Sequence, residues 1–167
     1  DRVVFRAPAM FLPGGSRQAE YIRDFGVSEK RITIAQMTVD TVSVSAHVDS
    51  LNSDDRIRIR QRFGIPPNAV VFLYVGRMEP HKGIRLLLQA FEQLRQLHSN
   101  AYLLLVGDGT LFEELKDASQ AVVGLACAGR LSGGASFDSY AARHIVAFPS
   151  LFRPWVLVRN DDPQSGP

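Results

Sequence analysis

From Val70 onward the chain alternates short apolar runs with helical periods, and few architectures accept that pattern. "VVFLYV" (70–75) is followed by a helix expected over 83–97, in which Leu86, Leu87, Ala90, Leu94 and Leu97 recur at helical spacing. The same rhythm predicts strand 102–106, helix 110–118, strand 122–128, helix 136–142 and strand 145–148. Strands separated by helices of this length are joined by right-handed crossovers and lie parallel in one sheet. The expected fold class is therefore α/β, a parallel sheet with flanking helices. In such sheets ligands bind beyond the carboxyl ends of the strands, and Arg77 stands at one such end.

The first 69 residues are less regular. "RVVF" (2–5) reads as a strand and "LPGGS" (12–16) as a turn. Ser16 is expected to cap a helix running to Phe25, stopped by Gly26. "RITIA" (31–35) reads as a strand by its β-branched residues. Residues 36–52 are small and polar without a clear period and read as a connector. "SDDRIRIRQRFGIPP" (53–67) alternates like a strand, yet its acids come first, its bases last, and Gly64 and Pro66 end it. That order suits a helix dipole, so a helix is expected.

Arg56, Arg58, Arg60 and Arg62 could form a patch for nucleic acid or anionic lipid, but a solvated helix face is the favoured reading. A net charge of +2 gives no reason to expect a nucleic-acid partner. The single cysteine, Cys127, excludes an internal disulfide framework and fits a reducing compartment. The longest apolar runs are about a third of the length a membrane helix needs. The chain opens on "DRVVF", which lacks the pattern of a signal peptide, and closes on "DDPQSGP". We expect a piece of a longer protein.

"VGRMEPHKG" (75–83) carries the chemistry. It is not a Walker loop, because its second glycine follows the lysine and no hydroxyl residue comes after. "GDGTLF" (107–112) approaches a dinucleotide fingerprint but lacks the third glycine, and "CAGR" stands where a ribose-binding acid belongs. A third reading is chemical. Arg77 can fork onto two oxygens and Lys82 acts as a point charge, beside a helix start where Gly76 and Gly83 admit close backbone approach. Such a place suits a pyrophosphate; the plainer alternative is two surface cations flanking a turn.

The neighbouring blocks favour the phosphate. "FLYVGRMEPHKGIRLLLQAFEQL", "LLLVGDGTLFEEL", "AGRLS" and "SYAARHIVAFPSLFRPW" occur in an order and spacing that resembles the carboxyl-terminal domain of the family-four retaining glycosyltransferases. "FLPGGSRQAEYIRDFGVSEKRITIAQMTVDT" resembles the end of that family's amino-terminal domain. The resemblance implies an incomplete, Rossmann-like C-terminal half of a GT-B fold. Residues 1–45 would be a remnant of the N-terminal domain, 46–67 a linker and helix, and 68–167 the partial donor-nucleotide domain.

It also implies an enzyme that moves a sugar from a nucleotide diphosphate to a saccharide or lipid-linked acceptor with retention. Neither a metal nor a cofactor is expected. Arg77 and Lys82 take the catalytic role of stabilising the departing diphosphate. Gly76, Gly83, Ala128, Gly129, Arg153 and Asp161 take donor-binding positions, Ala128 and Gly129 near the base. The setting would be polysaccharide biosynthesis in the cytoplasm, with a peripheral contact at the inner membrane face left open.

Three positions depart from the family pattern. Its two glutamates, eight positions apart, fall on Arg153 and Asp161, and Val156 replaces a glycine. The isolated chain, lacking most of the acceptor half, is expected to be inactive. A non-catalytic nucleotide-binding or interaction module on the same fold is the alternative that Arg153 favours. A sugar-nucleotide epimerase is the third, and the Arg77–Lys82 pair argues against it. Among other residues, His81 lies in the phosphate turn and could touch a ligand, though a solvated turn histidine is the favoured reading, while Cys127, Phe137, Tyr140 and Trp155 read as packing. His47 and His98 have no partners at metal-ligand spacing, and His144 reads as a strand-edge residue.

Overall fold

The computed structural model describes residues 7–35 and 40–150. Four parallel strands form its sheet: β1 (Val70–Val75), β2 (Ala101–Val106), β3 (Leu125–Gly129) and β4 (Ile145–Val146), in the order β3-β2-β1-β4. Six helices accompany them: α1 (Ser16–Asp24), α2 (Thr41–Ser50), α3 (Ser53–Arg62), α4 (Ile84–Leu97), α5 (Phe112–Ala121) and α6 (Gly134–Ala142). The expected α/β class is observed, and the strand and helix bounds from Val70 agree to within a few residues. β3 starts later than expected, and β4 is two residues long. The expected strand 2–5 lies outside the described residues.

Both faces of the sheet are covered, which is why its strands read as continuous apolar runs. Val71, Leu73, Leu104 and Val106 point to one side, where they meet Val48, Ile59 and Tyr140 of α2, α3 and α6. Tyr74, Leu103, Leu105 and Leu125 point to the other, against Ile84 and Phe91 of α4 and Leu115 of α5. Cys127 packs half-buried against this second cluster, and burial pushes its thiol pKa up.

The order of the strands places the site. The chain runs outward through β1, β2 and β3 and then returns to pair β4 with the other edge of β1. The direction of winding reverses at β1 and β4, and in open α/β sheets ligands bind beyond the carboxyl ends of the strands at such a point.

Three expectations in the first part of the chain are corrected. Gly15, in an extended conformation, occupies the N-cap of α1; Ser16 is already helical and its side chain makes no capping bond. "RITIA" forms no strand. Glu29–Arg31 is a 3-10 turn, and the pairing that follows is a single bridge between Phe11 and Ile32. Its partner segment runs into Pro13, which has no N–H to continue a ladder. The supposed connector contains α2, started by Asp40, whose carboxylate accepts from the Ser43 N–H at 2.9 Å and hydroxyl at 2.6 Å. Its threonine and valines disguise it as non-helical, while Val44 and Val48, one turn apart, supply the buried face.

The helix expected over the arginine-rich segment is α3, closed at its start by a reciprocal cap between Asn52 and Asp55. Its arginines do not form one solvated face. Arg56 donates to the carbonyls of Val48 (2.8 Å) and Ala141 (3.3 Å), and Arg60 to those of Ala142 (3.0 Å) and Pro67 (3.0 Å). The last carbonyls of α6 lack helical partners, and these two side chains, one turn apart on α3, satisfy them. Arg62 bonds Asp138 at 2.7 Å, and the same carboxylate meets His47 at 3.0 Å. Arg58 alone of the four pairs only within its own helix, with Asp55 at 3.3 Å.

His144 joins the same junction. Its Nδ1 accepts the Val71 N–H at 3.0 Å, and its Nε2 lies 3.2 Å from Arg60. Burial, followed by the nearby guanidinium of Arg60, lowers its pKa from 6.5. The unfolded chain then binds the proton more readily than the folded one. Stability is present above about pH 6.5 and declines as the pH falls through that value toward the folded pKa. Much of the ring faces solvent, so the decline is shallow. Urea midpoints measured from pH 7.5 to about 5.5 should fall for the parent and flatten in His144→Asn, whose amide oxygen can still accept from Val71. An equal pH dependence in both proteins would remove His144 from this account.

Candidate functional site

The carboxyl ends of β1, β2 and β3 are drawn together by glycines. The β1–β2 register pairs Val75 with Val106, and a glycine follows each strand, Gly76 and Gly107. Gly76 N–H donates to Val106 O at 3.0 Å, and Gly107 N–H to Gly129 O at 2.9 Å. Gly107 has φ +140°, and a β-carbon there would stand 1.9 Å from the Gly76 carbonyl oxygen. At Gly109 (φ +150°) it would stand 2.6 Å from the Met78 oxygen. Gly76 is less constrained, its nearest obstacle being the Tyr74 hydroxyl at 3.1 Å.

The loop after β1 is tied to the loop after β2. Met78, fully buried, donates to Asp108 O at 2.6 Å and accepts from the Leu111 N–H at 2.9 Å. Tyr74 donates its hydroxyl to Arg77 O at 2.7 Å, and burial raises its pKa to about 12, so it stays a neutral donor. Pro80–Lys82 is a 3-10 turn ending at Gly83, which is left-handed (φ +70°) and serves as the N-cap of α4. A β-carbon on Gly83 would lie 2.2 Å from Pro149 O, just past β4. Only glycine lets α4 begin this close to the β4 end.

Cations stand around these strand ends. Arg77 is 67% exposed; it bonds Glu79 at 3.1 Å and approaches Asp108 to 3.9 Å. Arg130, just after β3, approaches the other oxygen of Asp108 to 3.9 Å. Glu79 is only 17% exposed and also accepts from the Thr110 hydroxyl at 2.8 Å and N–H at 3.4 Å. Thr110 first, and Arg77 second, hold its carboxyl below the ordinary range. The Glu79 hydrogen bond and the nearby Asp108 raise the Arg77 pKa further. Lys82 is half-buried at the start of α4, and His81 beside it is exposed.

The structure thus brings Gly76, Gly129 and Arg77 to adjoining strand ends, with Gly83 and Lys82 at the start of α4. Ala128 lies on β3, packed against the core face toward α6. Arg153, Val156, Trp155 and Asp161 lie outside the described residues. Sequence reasoning missed Glu79, Asp108, Thr110 and Arg130. The signal was present in "VGDGT", whose glycines repeat the strand-end position of Gly76. Among the described residues no cluster of His, Cys, Asp or Glu could hold a metal ion, and no helix is long and apolar enough to cross a membrane.

The family model described as "Glycosyl transferases group 1" matches residues 55–151, more than half of the chain. The chain belongs to this glycosyltransferase family. The group 1 domain is 44% identical over 80 residues to the lipopolysaccharide 1,2-N-acetylglucosaminetransferase of Salmonella typhimurium, covering 48% of this chain and 20% of that protein. It is 30% identical over 94 residues to D-inositol 3-phosphate glycosyltransferase 2 of Catenulispora acidiphila, covering 56% of this chain and 20% of the relative. The chain therefore spans about a fifth of the length of these curated relatives.

Among solved structures, the domain resembles Anabaena HepE in complex with UDP, with a TM-score of 0.72 at 18% identity over 96% of this chain and 43% of that one. It also resembles WaaG, a glycosyltransferase involved in lipopolysaccharide biosynthesis, with a TM-score of 0.64 at 18% identity over 84% of this chain and 37% of the other. At such identities the likeness establishes the fold, which these neighbours share as GT-B glycosyltransferases.

Proposed function

We propose that this group 1 domain binds the nucleotide-sugar donor of a retaining glycosyltransferase, and that Arg77 and Lys82 stabilise the diphosphate as it leaves. One observation carries the reading. Arg77 lies two residues past β1 and Lys82 adjoins the start of α4, at the reversal point of the sheet, where Gly83 lets the helix start come against the β4 end. A helix start and two cations at a switch-point crevice form a site for a doubly charged phosphate group. The Anabaena neighbour was solved with UDP, and with UDP and glucose, which supports the same ligand class here.

In the reaction, the bond from the anomeric carbon to the diphosphate oxygen breaks and its electron pair stays on the diphosphate. The acceptor hydroxyl oxygen bonds the anomeric carbon on the same face, and its proton leaves with the departing group. Negative charge grows on the diphosphate oxygens, so preorganised cations lower the barrier. The backbone at Gly76, Gly83, Ala128 and Gly129 lies closest to the donor, with the base beside Ala128 and Gly129. Arg153 and Asp161 are assigned to the donor side by motif position alone.

The acceptor is a saccharide or lipid-linked saccharide in polysaccharide assembly, at the cytoplasmic face of the membrane. Residues 1–45 belong to the acceptor-side domain, 46–67 form the linker and helix, and 68–167 form the donor domain. The boundary at residue 45 falls within α2. A second reading, a nucleotide-binding module without transfer activity, is favoured by Arg153 standing where the family carries a glutamate.

Calorimetric titration with UDP, GDP and ADP tests the donor reading. At least one should bind, weakly and less tightly as salt rises, because exposed cation–phosphate contacts are screened. The matching nucleoside should bind with much less salt dependence. Absence of binding by all three would sink the reading. Sugar transfer by the 167-residue chain alone would contradict the division of labour between two domains.

A further inference from the structure

We infer that Glu79 is a positioning residue that sets the orientation of Arg77, and through its backbone the placement of Lys82, for binding a nucleoside diphosphate. The inference rests on the donor-binding reading of this crevice. Glu79 bonds both cationic residues. Its carboxylate takes the Arg77 Nη2 at 3.1 Å, and its carbonyl accepts the Lys82 N–H at 2.9 Å.

The carboxylate is itself fixed from a second loop. Thr110, just before α5, donates its hydroxyl at 2.8 Å and its N–H at 3.4 Å. Thr110 in turn sits between Gly109, pressed against Met78 O, and Leu111, which donates to that same oxygen at 2.9 Å. The loops after β1 and β2 therefore hold Glu79 as a unit.

Burial separates orientation from masking. Glu79 is 17% exposed and Arg77 67%, so the carboxylate lies on the protein side and the guanidinium on the solvent side. Only one guanidinium nitrogen is taken by Glu79, and an arginine has five N–H donors. Its Nε side approaches Asp108 to 3.9 Å, and the Nη donors that neither carboxylate takes are left to face an anion, with the long side chain already ordered. A flexible arginine would have to lose that rotamer freedom on binding.

The test is a double-mutant cycle by calorimetry, using whichever of UDP, GDP and ADP the parent chain binds tightest. Glu79→Gln keeps an oxygen for Thr110 but loses the charge that holds Arg77. It should weaken diphosphate binding roughly two- to tenfold, the equivalent of ordering one rotamer-rich side chain. Nucleoside binding should not change. In an Arg77→Ala background the same substitution should change diphosphate affinity little. Thr110→Val should give a smaller loss, and Thr110→Ser should restore the parent value.

A merely structural role would lower nucleoside and diphosphate binding together and would persist without Arg77. Either result overturns the inference, as does unchanged or tighter diphosphate binding in Glu79→Gln. If Arg77→Ala alone left diphosphate binding at the parent value, the donor reading itself would fall. The two failures are thus distinguishable.

Discussion

Replacing Gly107 with alanine should destabilise the domain by about 3 kcal/mol or more, through backbone strain and a clash at one atom. The residue sits at φ +140°, where a side chain is strained whatever the space around it. The added carbon would also stand 1.9 Å from Gly76 O. Nothing flexible can yield there, since the obstacle is backbone at the end of a fully paired strand. Gly76 is held by Val106 O, and Gly107 itself by Gly129 O. Relief would require parting β1 from β2, or β2 from β3, at the point where the candidate site is assembled. Gly26→Ala is the control: φ is +83° and nothing lies within 4 Å of the added carbon, so only about 1 kcal/mol is expected. Urea unfolding of the two variants measures the difference. Equal stability losses would show that the close approach at Gly107 relaxes at little cost.

The second half of the chain was legible because local pattern and tertiary role agree there. The apolar runs at 70–75 and 101–106 are buried on both faces, so period and burial give the same answer. The first part resisted reading because packing overrides propensity. Val44 and Val48 discourage a helix locally, yet both are buried, and Val48 joins the core cluster that holds Tyr140 of α6. The arginines of α3 misled in another way. Charge read along the sequence says nothing about whether a carbonyl waits within reach, and the open carbonyls of Ala141 and Ala142 lie some eighty residues away.

At the site, the cations were legible and their partners were not. Arg77 and Lys82 stand beside a recognisable strand end. Glu79 acquires meaning only when β1 and β2 pair in register and bring Thr110 to it. In the sequence, Gly107 and Gly109 resemble an imperfect dinucleotide motif. In the fold they are the points at which two backbones touch.

Removing both cations, Arg77→Ala with Lys82→Ala, should weaken binding of a nucleoside diphosphate by up to about a hundredfold. The figure is the ceiling set by about tenfold for each charge-assisted phosphate contact; coupling through the shared ligand and Glu79 makes the loss differ from the simple product. Nucleoside binding should be nearly unchanged, because neither side chain is assigned to the base or sugar. The stability of the domain should also change little. Arg77 is largely exposed, and Lys82 makes no ion pair with another described residue, so neither replacement opens a core cavity. The one local cost is that Glu79 loses its Arg77 partner, and it keeps two donors from Thr110. The slope of affinity against salt should flatten as well, since the screened contacts are gone. Calorimetry with the diphosphate and its nucleoside at low and moderate salt reads all three quantities on one sample. Parent-like diphosphate affinity in the double variant would mean that the crevice between β1 and β4 is not where the phosphates bind. A parallel loss of nucleoside binding would mean that the two cations shape the site as a whole rather than contact the phosphate.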